Sequence, residues 1–214
     1  MTVPWVSQSD ESVSCNLLSP SEGGGLVLAA GASTRMGSPK ALVELGGITA
    51  LARIVATLRQ SGVEPLVVVV ADDHAVAAEA RSAGAAVVVN ATAASGRTGS
   101  IQAGLRALPP ERLALVAPVD CPLVRASTVR ALLARAGEAA LVRPRFAGRA
   151  GHPIVLAAAA RDAVLALPPD APLREWARGA TRLDVDVDDE EILANLDTPA
   201  DAALARERLA RRGG

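Results

Sequence analysis

The sequence has little of what membrane, secreted and disulfide-stabilised proteins contain. Its 214 residues include two cysteines, Cys15 and Cys121, which are too few for a disulfide framework or a cysteine-based zinc site. No apolar run approaches the roughly 18 residues that a membrane-spanning helix needs. A secretory signal begins with a basic cluster followed by an apolar stretch, and the first ten residues do not show this pattern. We therefore expect a cytoplasmic protein with no membrane partner.

An excess of charge of either sign is also absent. The 22 basic residues nearly balance the 23 acidic ones, and the formal net charge is −1, which argues against a partner made of nucleic acid. Lys40 is the single lysine among the basic residues, and it lies in a loop rich in glycine and serine. Lys40 is therefore a candidate for a role that needs an ammonium group.

What the chain does contain is an alternation of apolar strands and amphipathic helices. Leu66–Val70 is a continuous apolar run, typical of a strand that is covered on both faces. Leu51, Ile54, Val55 and Leu58 follow the i, i+3, i+4, i+7 spacing of a helix. Strands near 26–30, 66–70, 85–89 and 113–117 alternate with helices near 48–60, 73–83, 100–108 and 126–136. This pattern predicts an α/β three-layer sandwich with a mostly parallel, Rossmann-like sheet.

The first residues do not share this pattern. Residues 1–24 are polar, are interrupted by prolines and glycines, and show no periodicity, so we expect a disordered tail over 1–24 and one domain over 25–214. Ligands of parallel sheets bind beyond the carboxyl ends of the strands. The loops at 31–40, 90–100 and 118–125 and the acidic stretch near 197 are therefore the candidate site.

The first loop, Leu28–Lys40, follows a buried strand and combines small residues with Arg35 and Lys40. Small residues let backbone N–H groups approach an anion, and the two cations add fixed positive charge. These properties predict a cradle for a triphosphate. The common phosphate loop and the dinucleotide fingerprint are both absent, since neither G-x-x-x-x-G-K-[ST] nor G-x-G-x-x-G occurs there.

The same loop resembles the signature L-A-[AG]-G-x-[SG]-x-R-M-G-x-P-K of the nucleotidyltransferase superfamily. Within that superfamily the chain looks most like the MobA-like molybdenum-cofactor cytidylyltransferases, because Ala30 stands where the GTP-using relatives usually have glycine. The resemblance implies that CTP binds to Arg35, Lys40 and the backbone of four residues, Leu28, Ala29, Ala30 and Gly31. It also implies catalytic roles for Arg35 and Lys40.

Two further loops carry the resemblance. Gly96–Leu105 opens a helix and is similar to the family's G-x-x-x-S-[IVL]-x-x-G segment, which implies that Ser100 and Gly104 contact the nucleotide. Ser100 as a simple helix cap is the alternative. Asp120-Cys121-Pro122 matches the family's D-x-P, which implies that Asp120 is catalytic and binds Mg²⁺, a cation that prefers hard oxygen ligands. Cys121 stands where the family usually has Gln or Met, and we place it in acceptor binding.

The last two segments concern the acceptor and the metal. Gly151-His152-Pro153 resembles the G-H-P-[IV] segment of the cytidylating branch, which implies that Gly151 and His152 bind the acceptor. Asn195–Asp201 resembles D-[IVL]-D-T-P-E-D, which implies that Asp197 is the second metal ligand. The residues themselves leave open that His152 is a structural hydrogen-bonding residue and that Asp197 is only a helix cap.

The expected reaction is Mg²⁺-dependent transfer of CMP from CTP to a phosphorylated acceptor, which by resemblance is the molybdopterin form of the molybdenum cofactor. An acceptor phosphate is already anionic, so positioning and charge neutralisation suffice without a strong base. Two alternatives remain: the same transfer to a sugar or polyol phosphate, and a non-catalytic cofactor carrier. The resemblance also suggests a molybdoenzyme or its chaperone as a protein partner.

Overall fold

The computed structural model describes residues 23–31, 35–93 and 96–213. Its strands are β1 Gly23–Ala29, β2 Glu44–Leu45, β3 Ile48–Thr49, β4 Leu66–Val70, β5 Ala86–Val89, β6 Leu113–Pro118, β7 Leu141–Phe146, β8 Arg149–Ala150, β9 Ile154–Leu156 and β10 Arg182–Asp186. Its helices are α1 Ala50–Gln60, α2 His74–Ser82, α3 Arg97–Ala107, α4 Ala126–Leu133, α5 Arg161–Leu165, α6 Leu173–Gly179 and α7 Pro199–Gly213. None of the helices in these ranges is long and apolar enough to cross a membrane.

The central sheet has the order β10-β7-β9-β6-β1-β4-β5, and β8 pairs with β7. β1 lies between β4 and β6 and is parallel to both, β4 is parallel to β5, and β10 is parallel to β7. β9 is antiparallel to β6 and β7, and β8 is antiparallel to β7. The predicted mostly parallel sheet is confirmed, and the carboxyl ends of β1, β4 and β6 meet at one edge.

The sheet is buried on both faces, which makes the domain a three-layer sandwich. Alternate residues of β1 and β4 face opposite sides: Val27 and Val68 pack in one apolar cluster, whereas Leu26 and Val67 pack in the other. α1, α2, α4 and α7 contribute to the first cluster, and α3, α5 and α6 to the second. Burial of this apolar surface is the main force that holds the layers together.

The boundaries differ from the sequence prediction where local sequence is uninformative. β1 begins at Gly23, because Gly23 and Gly24 pair with Leu113 and Ala114 of β6. Two residues assigned to the tail therefore belong to the sheet, and the rest of the tail, residues 1–22, lies outside the described residues. A Cβ at Gly24 would come within 2.8 Å of the Leu108 side chain, so these glycines serve close packing of the strand.

The elements that sequence patterns did not predict are all short. A hairpin of β2 and β3 precedes α1, whose first turn is capped by Thr49, with the Ala52 N–H donating to its hydroxyl at 3.0 Å. α5 and α6 have five and seven residues. Such lengths are too short for a 3.6-residue period to show. α3 begins at Arg97, three residues earlier than expected.

Candidate active site

Lys40 lies between two carboxylates from distant parts of the chain. Its Nζ donates to Asp197 Oδ1 at 2.5 Å and to Asp120 Oδ1 at 3.3 Å. Arg35 reaches the same Asp197 oxygen at 3.3 Å from the solvent side, with 69% of its side chain exposed against 13% for Lys40. The structure therefore brings together four of the predicted site residues, two cations and two carboxylates.

Backbone hydrogen bonds position this cluster. The Val119 N–H donates to the Leu28 carbonyl at 3.1 Å, which fixes the end of β6 beside the end of β1. The Leu196 N–H then donates to the Asp120 carbonyl at 2.8 Å, and this bond places the neighbouring Asp197 opposite Asp120. Lys40 starts a short 3-10 turn, Lys40–Leu42, at the end of the first loop. Residues 32–34 of that loop lie outside the described residues.

Asp197 does not cap the helix that follows it. The Thr198 hydroxyl accepts the Asp201 N–H at 3.2 Å, and the Asp201 carboxylate accepts the N–H groups of Thr198 and Asp197 at 2.7 and 3.1 Å. This reciprocal arrangement is a capping box that satisfies the first turn of α7. The carboxylate of Asp197 is thereby left to face Lys40 and Arg35, which contradicts the helix-cap alternative for this residue.

The electrostatics of the cluster favour the ionised form of Asp197. The hydrogen bond from Lys40 lowers the pKa of Asp197, and the positive charges of Lys40 and Arg35 lower it further. An opposite charge and a donated hydrogen bond both stabilise the ionised form of a carboxyl group. Asp197 is therefore held ready to bind a cation.

A cavity of about 730 Å³ opens directly above this cluster. Its wall includes the four loop residues whose backbone was predicted to bind nucleotide, Leu28, Ala29, Ala30 and Gly31, together with Arg35, Lys40, Ser100 and Asp120. Ser100 is buried, and its hydroxyl accepts a hydrogen bond from the Asn90 amide at 3.0 Å. Asp72 and Asp73, which follow β4, also line this cavity.

A second cavity of about 560 Å³ adjoins the first, and the two share Leu28, Gly96, Arg97 and Pro118 as a common wall. Gly151 and His152 line the second cavity, as the acceptor prediction requires, alongside several apolar side chains and the cations Arg143 and Arg174. Burial lowers the pKa of His152 to about 4, with a further contribution from the charge of Arg97, and its Nδ1 is buried without a hydrogen-bond partner among the described residues. His152 is therefore a neutral side chain at pH 7.

Two predicted site residues are placed elsewhere. Gly104 lies on the face of α3 that packs against the sheet. A Cβ there would come within 2.8 Å of the Leu26 side chain and 3.0 Å of Val69. It is a packing position between helix and sheet and lines neither cavity. The prediction that Gly104 contacts the nucleotide therefore does not agree with its position.

Cys121 also faces the interior. Its Sγ lies 3.7 Å from Asn195 Oδ1, its side chain packs in the first apolar cluster, and it lines neither cavity. Burial raises the pKa of the Cys121 thiol to about 12, and the negative charge of Asp120 adds to the effect. The predicted role of Cys121 in acceptor binding is thus not supported by its position, and the raised pKa disfavours a nucleophilic role because the thiolate is the reactive form.

Arg97 is the residue that the sequence argument missed. It lies in the quoted Gly96–Leu105 segment, forms the first turn of α3 and lines both cavities. Within the described ranges no carboxylate forms an ion pair with Arg97. The positive end of the α3 dipole adds to its charge. The sequence did contain a signal for Arg97: an arginine that directly follows Gly96 at the start of a helix in a nucleotide-binding segment.

The donor set fits a magnesium ion. Asp120 and Asp197 offer hard oxygens, and the ammonium of Lys40 already lies between them as a cation would. In the part of the chain that the structure describes, no group of three or more His, Cys, Asp or Glu side chains is arranged so that it could hold a metal ion by itself. A magnesium ion held by these two carboxylates would therefore complete its coordination with substrate oxygens and water, as this ion commonly does.

Comparisons with known proteins identify the family of the chain. Residues 25–186 match the family model of the MobA-like NTP transferase domain. The chain is 42% identical over 140 residues to the bifunctional enzyme IspD/IspF of Clavibacter michiganensis, an alignment that covers 60% of this chain and 31% of that enzyme. It is 37% identical over 150 residues to nicotine blue oxidoreductase of Paenarthrobacter nicotinovorans, covering 65% of this chain and 73% of that protein. The chain thus spans about a third of the first relative and most of the second.

Solved structures share the fold. The homologue of Mycobacterium tuberculosis Rv0371c from Mycobacterium sp. strain JC1 superposes with a TM-score of 0.75 at 25% identity, covering 90% of this chain and 98% of that one. A nucleotidyl transferase from Methanothermobacter superposes with a TM-score of 0.77 at 22% identity, covering 89% and 99%. These superpositions confirm the predicted architecture over nearly the whole described chain.

Proposed function

This chain belongs to the MobA-like NTP transferase family and to the nucleotidyltransferase class of enzymes that the motifs predict, and on that premise we propose a specific reaction for it. A phosphate oxygen of a small acceptor forms a bond to the α-phosphorus of CTP, the bond from that phosphorus to the bridging oxygen breaks, and pyrophosphate leaves. The single observation that carries the proposal is the contact of Lys40 with both Asp120 and Asp197 at the edge of the 730 Å³ cavity.

Each residue of the cluster has a role that its position supports. Asp120 and Asp197 hold Mg²⁺, which supplies positive charge to the phosphate oxygens when it is bound. Lys40 then exchanges its carboxylate contacts for contacts with the triphosphate, which is possible because its ammonium is on a flexible stem. Arg35, on the exposed side, binds the terminal phosphates and stabilises the charge that develops on pyrophosphate.

The two adjoining cavities provide places for two substrates. The nucleoside triphosphate occupies the larger cavity against the first loop, and the acceptor occupies the smaller one beside Gly151 and His152. Arg97 is in the common wall, where a fixed positive charge lies next to both the α-phosphate and the attacking phosphate. Bringing two anions together in this way lowers the barrier through positioning and charge neutralisation.

The choice of CTP and of the molybdenum cofactor as substrates rests on two sequence features. Ala30 stands where the GTP-using relatives usually have glycine, and Gly151-His152-Pro153 resembles a segment of the cytidylating branch. Gly151 and His152 line the acceptor cavity, which supports the second feature. Three arginines lie among the largely apolar lining of this cavity, which suits an acceptor that combines a ring system with a phosphate group.

The test is pyrophosphate release with each of the four nucleoside triphosphates, Mg²⁺, and molybdopterin, glucose 1-phosphate or methylerythritol phosphate as acceptor. We expect turnover with CTP and molybdopterin and a CMP adduct of matching mass. Lys40→Met should remove the activity, whereas Arg81→Met, a change on the exposed side of α2, should not. Turnover with another acceptor alone would overturn the choice of molybdopterin.

A second candidate function follows from the relative named as an oxidoreductase, which is 37% identical to this chain. A redox enzyme or a cofactor carrier has no need for a cation cluster that contacts a triphosphate cavity, and the geometry of Lys40, Asp120 and Asp197 therefore favours transfer. Isothermal titration distinguishes these functions: a transferase binds CTP with Mg²⁺, whereas a carrier binds molybdopterin and no nucleoside triphosphate.

A further inference from the structure

Glu191 is a buried carboxylate that the proposed reaction does not use. Its residue is 1% exposed, and acidic residues are rarely buried to this degree unless they are paired. Glu191 Oε1 accepts from Arg212 at 2.9 Å, and Glu191 Oε2 accepts from Arg208 at 3.1 Å. Both arginines belong to α7 and are four positions apart, so one face of the last helix neutralises this single carboxylate.

These ion pairs close a loop around Asp197. Glu191 precedes Asp197 by six positions, and Arg208 and Arg212 follow it, so the segment between them is fixed at both ends. Within the loop, the Leu196 N–H donates to the carbonyl of Asp120 at 2.8 Å. The position of Asp197 relative to Asp120 therefore depends on the position of α7 relative to Glu191.

The other side of the segment packs against Gly151 and His152. The Ile192 carbonyl accepts the His152 N–H at 3.0 Å and lies only 2.2 Å from the point that a Cβ on Gly151 would occupy. The wall of the acceptor cavity is thus in direct contact with Ile192, the residue next to Glu191. Because Ile192 is already in contact on this side, we expect loss of the α7 ion pairs to displace the segment at Leu196 and Asp197.

We propose that Glu191 is a positioning residue for the cation site: through its ion pairs with Arg208 and Arg212 it holds Asp197 opposite Asp120. The inference rests on the proposed function for its kinetic consequence only, because the position of Asp197 can be measured without turnover. Asp189 provides a matched control. It is a second carboxylate of the same segment that is 1% exposed. It accepts from Thr128, from the Arg125 N–H and, at 3.3 Å, from the Glu191 N–H, and within the described residues no ion pair joins it to α7. Asp189→Asn therefore perturbs the start of the segment while leaving the α7 ion pairs in place.

The experiment compares the full-length variants Glu191→Gln, Arg208→Gln and Asp189→Asn with the wild type. Arg208→Gln is included because Arg208 donates to Glu191, so this variant tests the same contact if Glu191→Gln fails to fold. Amide hydrogen exchange is measured at Leu196 and, as an internal reference, in β4. Binding of Mn²⁺ with CTP is measured by electron paramagnetic resonance, and the Mg²⁺ concentration for half-maximal pyrophosphate release by kinetics.

In Glu191→Gln and Arg208→Gln we expect faster exchange at Leu196 with β4 unchanged, and metal affinity weaker by about tenfold, the lower end of the effect of residues that orient metal ligands. Asp189→Asn should lower the melting temperature without either effect. If Glu191→Gln lowers the melting temperature but leaves exchange at Leu196 and Mn²⁺ binding as in Asp189→Asn, Glu191 is merely structural and the proposal is wrong. Absence of turnover in every variant would count against the proposed reaction, while exchange and Mn²⁺ binding would still decide the role of Glu191.

Discussion

The ammonium of Lys40 and the carboxylate of Asp197 are in contact at 2.5 Å although 157 positions of chain separate them. Two intermediate contacts make this possible: β6 ends beside β1, and Leu196 pairs with the carbonyl of Asp120. The contact connects the only lysine in the sequence to the segment that precedes the last helix. It also predicts how the chain responds to small changes at either residue.

Lys40→Arg should lower kcat/KM at least tenfold, equivalent to about 1.4 kcal/mol at the transition state. The Lys40 side chain is 13% exposed and contacts two carboxylates, so a larger planar guanidinium cannot occupy the same position. Steady-state pyrophosphate release checks this. Arg145→Lys is the control, because it changes an exposed ion pair with Asp186, and it should leave kcat/KM unchanged. Wild-type kinetics in Lys40→Arg would show that the single lysine is not needed for the reaction.

Gly104→Ala should destabilise the protein by about 1–3 kcal/mol, the usual cost of overpacking, and leave the KM for nucleotide unchanged. The added methyl group would meet Leu26 and Val69 rather than a ligand. Denaturant unfolding together with steady-state kinetics is the measurement. Gly179→Ala is the matched control in α6, where a Cβ meets nothing within 4 Å and alanine favours the helix. A raised KM in Gly104→Ala would restore its predicted nucleotide role.

Gly104 illustrates what a motif can and cannot predict. The resemblance selected the Gly96–Leu105 segment, and Ser100 of that segment lines the larger cavity. The motif could not separate a glycine that approaches a ligand from a glycine that lets a helix approach a sheet, because the residue is glycine in both cases. Cys121 was misplaced for the same reason: position next to Asp120 in the chain does not fix the direction of a side chain.

The pH dependence of stability should reflect His152. Burial lowers its pKa from 6.5 to about 4 in the folded protein, so between these values the unfolded chain binds the proton and the native chain does not. Stability is fully present above pH 6.5 and is lost as the pH falls toward 4. The wild type should therefore lose about 2 kcal/mol between pH 7 and pH 5 relative to His152→Gln.

Urea unfolding of both proteins at the two pH values measures this difference. His74→Gln is the control, because His74 is exposed at the start of α2 and the variant should keep the pH dependence of the wild type. If His152→Gln and the wild type lose stability in parallel between pH 7 and pH 5, the imidazole is not buried as described.

Deletions should locate the start of the domain at Gly23. Removing residues 1–22 is expected to leave the melting temperature within about 4 °C of the wild type, the shift that corresponds to roughly 1 kcal/mol. Removing residues 1–24 should cost more, because Gly23 and Gly24 pair with β6. Equal melting temperatures for the two deletions would instead support the boundary expected from the sequence.

Much of the fold was predictable because its signals are local. Leu66–Val70 is apolar throughout and is buried throughout as β4, and the spacing of Leu51, Ile54, Val55 and Leu58 matches the buried face of α1. The common wall at Arg97 was not predictable, since its significance depends on two cavities built from strands and loops far apart in the sequence. The α7 contacts of Glu191 escaped prediction for the same reason.

The most direct test of the account is the double-variant comparison of Asp120 and Asp197. Asp120→Asn, Asp197→Asn and the double variant are measured for pyrophosphate release over a range of Mg²⁺ concentrations. If the two carboxylates form one cation site with Lys40, each single change should remove most of the activity and raise the Mg²⁺ requirement, and the double change should cost little more, because groups that act as a unit are not additive. Losses that multiply, with an unchanged Mg²⁺ requirement in Asp197→Asn, would contradict the shared site.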